Sequence, residues 1–264
     1  MVMVKQMEKK LILLDIDGTI VDNKNRVIPE STITALKKLK ENNHELVIAT
    51  GRAYFMLYTI EDIKSLIDHY ILINGQHIIS HDKTIYEDTV DIFDINKLIH
   101  SMKDKNIVYG FQSAFEEAIS EINESSLRAF EDLNLNVPPQ NKDFHEKVKV
   151  HQMWCFCTPE EVEQLRIENP EFDFIKWTTV GYDIIKKGKS KGKAVDILVD
   201  LLDFDINDVI AIGDGDNDIE MLEKANIGIA MGNATDNLKE VADIITEDIY
   251  SDGFYKAFEK LGLI

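Results

Sequence analysis

LILLDIDGT, residues 11–19, is the stretch whose reading decides the fold. Leu11 to Leu14 form an unbroken apolar run, the pattern of a strand covered on both faces, as in a parallel sheet between helices. The run ends in Asp15 and Asp17, two carboxylates one residue apart, and then Gly18, which permits a tight turn. Two such charges at a strand end repel each other unless something cationic lies between them.

The same rhythm extends outward on both sides. Ile33 to Leu39, with Ile33, Leu36 and Leu39 among lysines, predicts an amphipathic helix entered near Pro29 and Ser31 and stopped at Asn42 and Asn43. Leu46 to Ala49 is a second apolar run ending in Thr50-Gly51-Arg52, and Tyr70 to Ile73 is a third ending in Asn74-Gly75. Towards the other end, Val209 to Ile212 leads to Gly213-Asp214, Ile227 to Met231 leads to Gly232-Asn233, and Ala242 to Thr246 follows. Strands alternating with helical patterns predict an α/β fold with a doubly wound parallel sheet.

Between these blocks, from about residue 82 to residue 180, the texture is more polar and alternating. Strands are expected at Ile107 to Phe111 and Phe172 to Thr178, and helices at Ile92 to Lys105, Ser125 to Leu133 and Pro159 to Ile167. The expectation is an α+β domain, 82–180, inserted into a core domain formed by 1–81 and 181–264.

The chain has 264 residues, 29 Lys plus Arg against 48 Asp plus Glu, and a formal net charge of −19. That balance argues against a nucleic-acid partner, which calls for a basic face. A hydrophobic share of 44% with 29% charged residues is that of a globular chain with a core, not of a disordered one. No apolar stretch reaches spanning length and the start carries no secretory pattern, so no membrane association and a cytoplasmic location are expected. Assembly is expected to be a monomer or a small homo-oligomer. Cys155 and Cys157 share one face of an expected strand, too close in sequence for an ordinary disulfide, and are assigned to packing. Phe111, Trp154 and Trp177 are assigned to the core of the inserted domain.

A second acidic cluster, Gly213-Asp214-Gly215-Asp216-Asn217-Asp218, follows a strand near the other end. Taken singly, either cluster is an ordinary turn or helix cap. In an open α/β sheet, however, strand ends far apart in sequence converge on one crevice. Gathering so many carboxylates there calls for a hard divalent cation with oxygen ligands, for which magnesium is suited. An EF-hand loop is excluded, because its Gly position is Ile219 and its closing Glu position is Ala225. The seven histidines are scattered, and a zinc site is disfavoured.

DIDGT at 15–19, ATGR at 49–52, SKG at 190–192 and GDGDNDIEML at 213–222 resemble, in order, the four motifs of the haloacid dehalogenase superfamily. NG at 74–75, IAMGNA at 229–234 and SDG at 251–253 are similar to the Cof-type sugar-phosphatase-like subgroup with a large cap. The resemblance implies a phosphatase of small phosphorylated metabolites that works through an aspartyl phosphate. It implies Asp15 as nucleophile and Asp17 as the acid and base that serves the leaving oxygen and then water. Magnesium would be held by Asp15, the Asp17 carbonyl, Asp214 and Asp218. Thr50, with the N–H groups of Gly51 and Arg52, would bind phosphoryl oxygens, helped by Lys191, Asn74 and Asn217. Lys191 stands in a basic run, Lys186 to Lys193, that would ordinarily be solvated, and only its Ser-Lys-Gly setting ahead of the helical stretch Ala194 to Leu202 singles it out. Asp216 is left out of the metal set.

Two other functions are compatible with such a core. A phosphotransferase or mutase would pass the phosphoryl group to a sugar hydroxyl instead of water. A phospho-accepting signalling protein also uses an acidic cluster, a Thr and a Lys, but needs about half this length and no inserted domain.

Overall fold

The computed structural model describes residues 8–132 and 135–264. The chain begins with β1 (Leu11–Leu14), α1 (Glu30–Glu41), β2 (Glu45–Ala49), a 3-10 segment at Tyr54–Leu66, β3 (His69–Leu72), β4 (His77–Ser80) and β5 (Lys83–Glu87). Next come α2 (Ile92–Lys103), β6 (Val108–Gln112), β7 (Glu117–Ile119), α3 (Glu124–Asp132), β8 (Gln152–Phe156), α4 (Pro159–Glu168), β9 (Phe172–Lys176) and β10 (Gly181–Lys186). Then follow α5 (Lys191–Leu202), β11 (Val209–Gly213), α6 (Ile219–Lys224), β12 (Ile227–Ala230), α7 (Asp236–Val241), β13 (Ile244–Ile245) and α8 (Gly253–Lys260). The last residue of the helix expected at Ser125 to Leu133 lies outside the described residues.

Contacts divide the chain into two compact units. One holds the described residues up to Arg52, Met56–Tyr86 and Ser190–Ile264, and the other holds Ala53–Phe55 and Glu87–Lys189.

In the first unit the sheet order is β13-β12-β11-β1-β2-β3-β4-β5. Every pair from β13 to β3 is parallel, and all four residues of β1 are fully buried, as its unbroken apolar run requires. From β1 the chain moves outward through β2 and β3, then returns to β11 on the other side of β1. The reversal of winding therefore falls beside β1, where an open α/β sheet forms its ligand crevice. The sequence rhythm predicts parallel strands alone. β4 instead runs antiparallel to β3, because the connection Ile73–Gly75 is a tight turn with no room for a crossover. Helix α1 buries Thr32, Ala35, Leu36 and Leu39 on one face, and the stop lies at Asn42 with Asn43 left-handed at φ 66°.

The second unit is a five-stranded sheet, β7-β6-β8-β10-β9, with antiparallel pairs throughout. Alternation along β6 and β8 sends Tyr109, Phe111, Met153 and Cys155 into one core with Ile95, Leu98 and Leu165, and Val108, Trp154 and Phe156 into another with Phe130. Phe111 and Trp154 are core residues, and Trp177 packs against the second cluster. Cys155 and Cys157 are buried free thiols whose sulfurs lie 3.8 Å apart. Helix α4 starts with a capping box between Thr158 and Glu161 and with Pro159 in its first turn.

Glu117 of β7 is half-buried, its Oε2 is buried without a hydrogen-bond partner among the described residues, and burial pushes its carboxyl up to about 7. A carboxyl with a folded-state pKa above its unfolded one favours folding at low pH, and this advantage is lost as pH rises from about 4.5 to 7. Glu117→Gln should therefore match the parent chain in urea unfolding at pH 4 and exceed it by about 2–3 kcal/mol at pH 8. Equal stabilities at both pH values would refute the burial effect.

Candidate active site

The loops that follow β1 and β11 meet the first turn of α5. The Asp15 N–H donates to the Ile212 carbonyl at 3.1 Å, which ties the strand end of β1 to β11. Lys191 Nζ donates to Asp15 Oδ1 and to Asp218 Oδ1, each at 2.7 Å, and the lysine is 1% exposed. Asp218 uses its other oxygen to accept the N–H groups of Asp214 and Gly215, each at 3.1 Å. Local sequence explains this buried lysine. Ser190 caps α5 by accepting from the Lys193 N–H, and a Cβ on Gly192 would lie 2.6 Å from the Glu220 backbone. Only glycine lets α5 approach α6 this closely, which draws Lys191 inward.

With all three carboxylates ionised, one ammonium would leave two negative charges uncompensated in a buried place. Burial, with the Asp218 carboxylate beside it, pushes Asp15 up to about 7. Burial and the Asp15 and Asp218 carboxylates push Asp214 up to about 8. Burial works against the charge on Lys191, but Asp15 and Asp218 more than offset it and hold the ammonium above the ordinary lysine range. A divalent cation would offset the remaining charge. Asp15, Asp214 and Asp218 each offer a carboxylate oxygen, all within 4.8 Å of one another, an all-oxygen set suited to a hard ion. Gly18, at φ 83°, closes the Asp17 loop over this cluster, and a Cβ there would overlap the Asp214 carboxylate.

Asp17 carries a different set of contacts. Arg52 grips its carboxylate with two hydrogen bonds, Nε to Oδ2 at 2.8 Å and Nη2 to Oδ1 at 2.6 Å, and Arg26 Nη1 reaches Oδ1 at 3.1 Å. The remaining Arg52 nitrogen donates to the Met56 carbonyl and the Thr59 hydroxyl. Asp17 is also close enough for its charge to act on Asp15 and Asp214.

Residues 12–258 match the family of haloacid dehalogenase-like hydrolases. The chain belongs to that family. The chain is 33% identical to "Putative phosphatase YkrA" of Bacillus subtilis (strain 168) over 260 residues, 98% of this chain and 100% of the relative. It is 28% identical to pyridoxal phosphate phosphatase YbhA of Escherichia coli (strain K12), over 93% of this chain and 96% of that protein. Among solved structures, the HAD subclass IIB sugar phosphatase BT4131 superposes with a TM-score of 0.89 at 31% identity, covering 97% of this chain and 100% of that one. Family and relatives place the hydrolase among the phosphoric monoester hydrolases.

Of the phosphate-binding residues expected from the sequence, Thr50, Gly51, Arg52 and Asn74 form a second group in the hydrolase, while Lys191 lies in the first. Thr50 is buried, accepts from the Arg52 N–H at 3.2 Å through its hydroxyl, and donates its own N–H to Ile71. The turn after β3 braces this segment, since the N–H groups of Ile73 and Asn74 donate to the carbonyls of Arg52 and Thr50. Ile73 at φ 52° and Asn74 at φ 51° are left-handed, at about 1–3 kcal/mol each in strain for side chains with a Cβ. A Cβ on Gly51 would sit 3.2 Å from both amide atoms of Asn74, so that carboxamide lies beside Thr50-Gly51-Arg52. Asn217 is half-buried beside Gly215. Asp216 is exposed, accepts from the Thr235 hydroxyl at 2.6 Å, and serves the entry of α7.

Sequence reading passed over Arg26 and Asn233. Arg26 sits in a polar loop with no periodicity to mark it, and its only signal is a position nine residues beyond Asp17. Asn233 lies inside the IAMGNA motif, which marked it as a family feature without a role. The buried lysine gives a direct test of the electrostatics. Lys191→Met leaves two buried carboxylates without their counter-charge, and urea unfolding in EDTA at pH 8 should show a loss of about 3–5 kcal/mol. A loss below about 1 kcal/mol would contradict this account of the triad.

Proposed function

We propose that the chain is a magnesium-dependent phosphatase that hydrolyses small phosphate monoesters, sugar phosphates or related metabolites, through an aspartyl phosphate on Asp15. The carrying observation is the placement of one buried ammonium on both Asp15 and Asp218, beside Asp214. Residues 82–180 are taken as the inserted cap domain, with 1–81 and 181–264 as the core that carries the chemistry.

In the first displacement a carboxylate oxygen of Asp15 forms a bond to phosphorus in line with the ester oxygen, whose bond to phosphorus breaks. The departing oxygen takes a proton from Asp17. In the second, water attacks the phosphorus, gives its proton to Asp17, and releases phosphate and a free Asp15. Arg52 and Arg26 fix the direction of the Asp17 carboxyl in both steps. Thr50, the N–H groups of Gly51 and Arg52, and Lys191 supply donors for the phosphoryl oxygens, with Asn74 and Asn217 orienting the group. Magnesium held by Asp15, the Asp17 carbonyl, Asp214 and Asp218 would neutralise the repulsion between nucleophile and phosphoryl oxygens. Two relatives support the substrate class, because one is named for pyridoxal phosphate and the other for sugar phosphates, both small monoesters.

Release of inorganic phosphate from an aryl phosphate should require magnesium and stop in EDTA. Asp15→Asn should lower the rate by at least about 10³-fold, and Asp17→Asn by about 10²–10⁴-fold. Turnover that survives EDTA or persists in Asp15→Asn rules the reading out.

A further inference from the structure

Asn233 sits in the turn between β12 and α7, and its carboxamide spends its hydrogen-bonding capacity on three different loops. Nδ2 donates to the Gly18 carbonyl at 2.9 Å and to Asp214 Oδ2 at 3.3 Å, while Oδ1 accepts the Ile249 N–H at 3.1 Å. The first partner lies in the loop that follows Asp15. The second is the carboxylate of an expected metal ligand. The third opens the segment Ile249–Ser251, which leads into α8.

We infer that Asn233 is a positioning residue for divalent-metal binding, one that fixes the Asp214 carboxylate in rotation and docks it to the Gly18 turn. The inference rests on the metal dependence proposed above. The hydrogen bonds of Asn233 supply such a device. The donor on Asp214 Oδ2 opposes rotation of that carboxylate. Among the described residues, Asn233 is the side chain that donates to the Asp214 carboxylate. The same amide nitrogen also holds the Gly18 carbonyl, so the loop of the nucleophile and the ligand that follows β11 keep one relative placement.

Asn233 also has the right chemistry to do this without adding charge. Aspartate there would put another carboxylate against Asp214 and a lone pair against the Gly18 carbonyl. Alanine would leave the Gly18 carbonyl and the Ile249 N–H without this partner. Groups that orient ligands without touching the ion typically change metal affinity about 10–100-fold when removed.

The test measures metal binding itself. Mn²⁺ titrated into the full chain and followed by the EPR signal of the free ion should show one site in the parent protein. Asn233→Ala should bind Mn²⁺ about 10–100-fold more weakly, and the metal concentration for half-maximal phosphate release should move by the same factor. At saturating metal, kcat should return to within about threefold of the parent, which separates loss of positioning from general damage. Asn237→Ala, which touches the exposed Asp216 and neither Gly18 nor Asp214, should bind as the parent does. Should Asn233→Ala fail to fold, Asn233→Ser makes the smaller change and carries the same expectation. Unchanged Mn²⁺ affinity in the folded variant overturns the role of Asn233 and leaves the phosphatase reading intact. A parent chain that binds no Mn²⁺ overturns that reading first.

Discussion

An ammonium buried between two carboxylates is the contact on which the rest of this molecule depends. Lys191 reaches Asp15 and Asp218 at the same 2.7 Å, in a place where water does not screen it. Taking such charges out of water is expensive, and the attraction recovers the loss only with good geometry and satisfied neighbours. Here the neighbours are satisfied, since Asp218 accepts two backbone N–H groups with its free oxygen. The balance is incomplete, because Asp214 adds a third carboxylate that shares the single Lys191 ammonium with Asp15 and Asp218. A site built this way gains from binding a divalent ion, whose charge completes it.

The backbone around the site is arranged to make that geometry the low-energy one. Parallel strands end on one edge of the sheet, and winding reverses beside β1, so the loops after β1 and β11 meet without any long excursion. Close approach is bought with side-chain volume: Gly18 clears Asp214, and Gly192 clears α6. Strain is accepted at Ile73 and Asn74, where backbone hydrogen bonds brace Thr50 and Arg52 against the end of β3.

Much of this was legible in the sequence, for physical reasons. Leu11 to Leu14 reads as a doubly covered strand and is one, and α1 declares its buried face through Leu36 and Leu39. The two acidic clusters pointed to a cation once an open α/β sheet was expected to bring them into one crevice. Roles for individual residues came from the family resemblance, not from spacing. What stayed illegible depends on long-range contacts. Arg52 was expected at phosphate through its N–H alone, and the commitment of its guanidinium to Asp17, a pairing 35 residues apart in the chain, went unread. Arg26 and Asn233 act through partners that no local pattern reveals. The antiparallel β4 escaped for a similar reason, since Asn74-Gly75 ends a strand equally well before a helix or a hairpin.

The central claim is that Asp15 becomes covalently phosphorylated in the presence of a divalent ion. Enzyme mixed with a phosphate monoester and magnesium, quenched in acid within milliseconds and digested, can be mapped by peptide mass spectrometry. A phosphoryl adduct on Asp15, absent when magnesium is withheld, is the predicted result. An adduct on another side chain, or turnover with no adduct at any quench time, would contradict it.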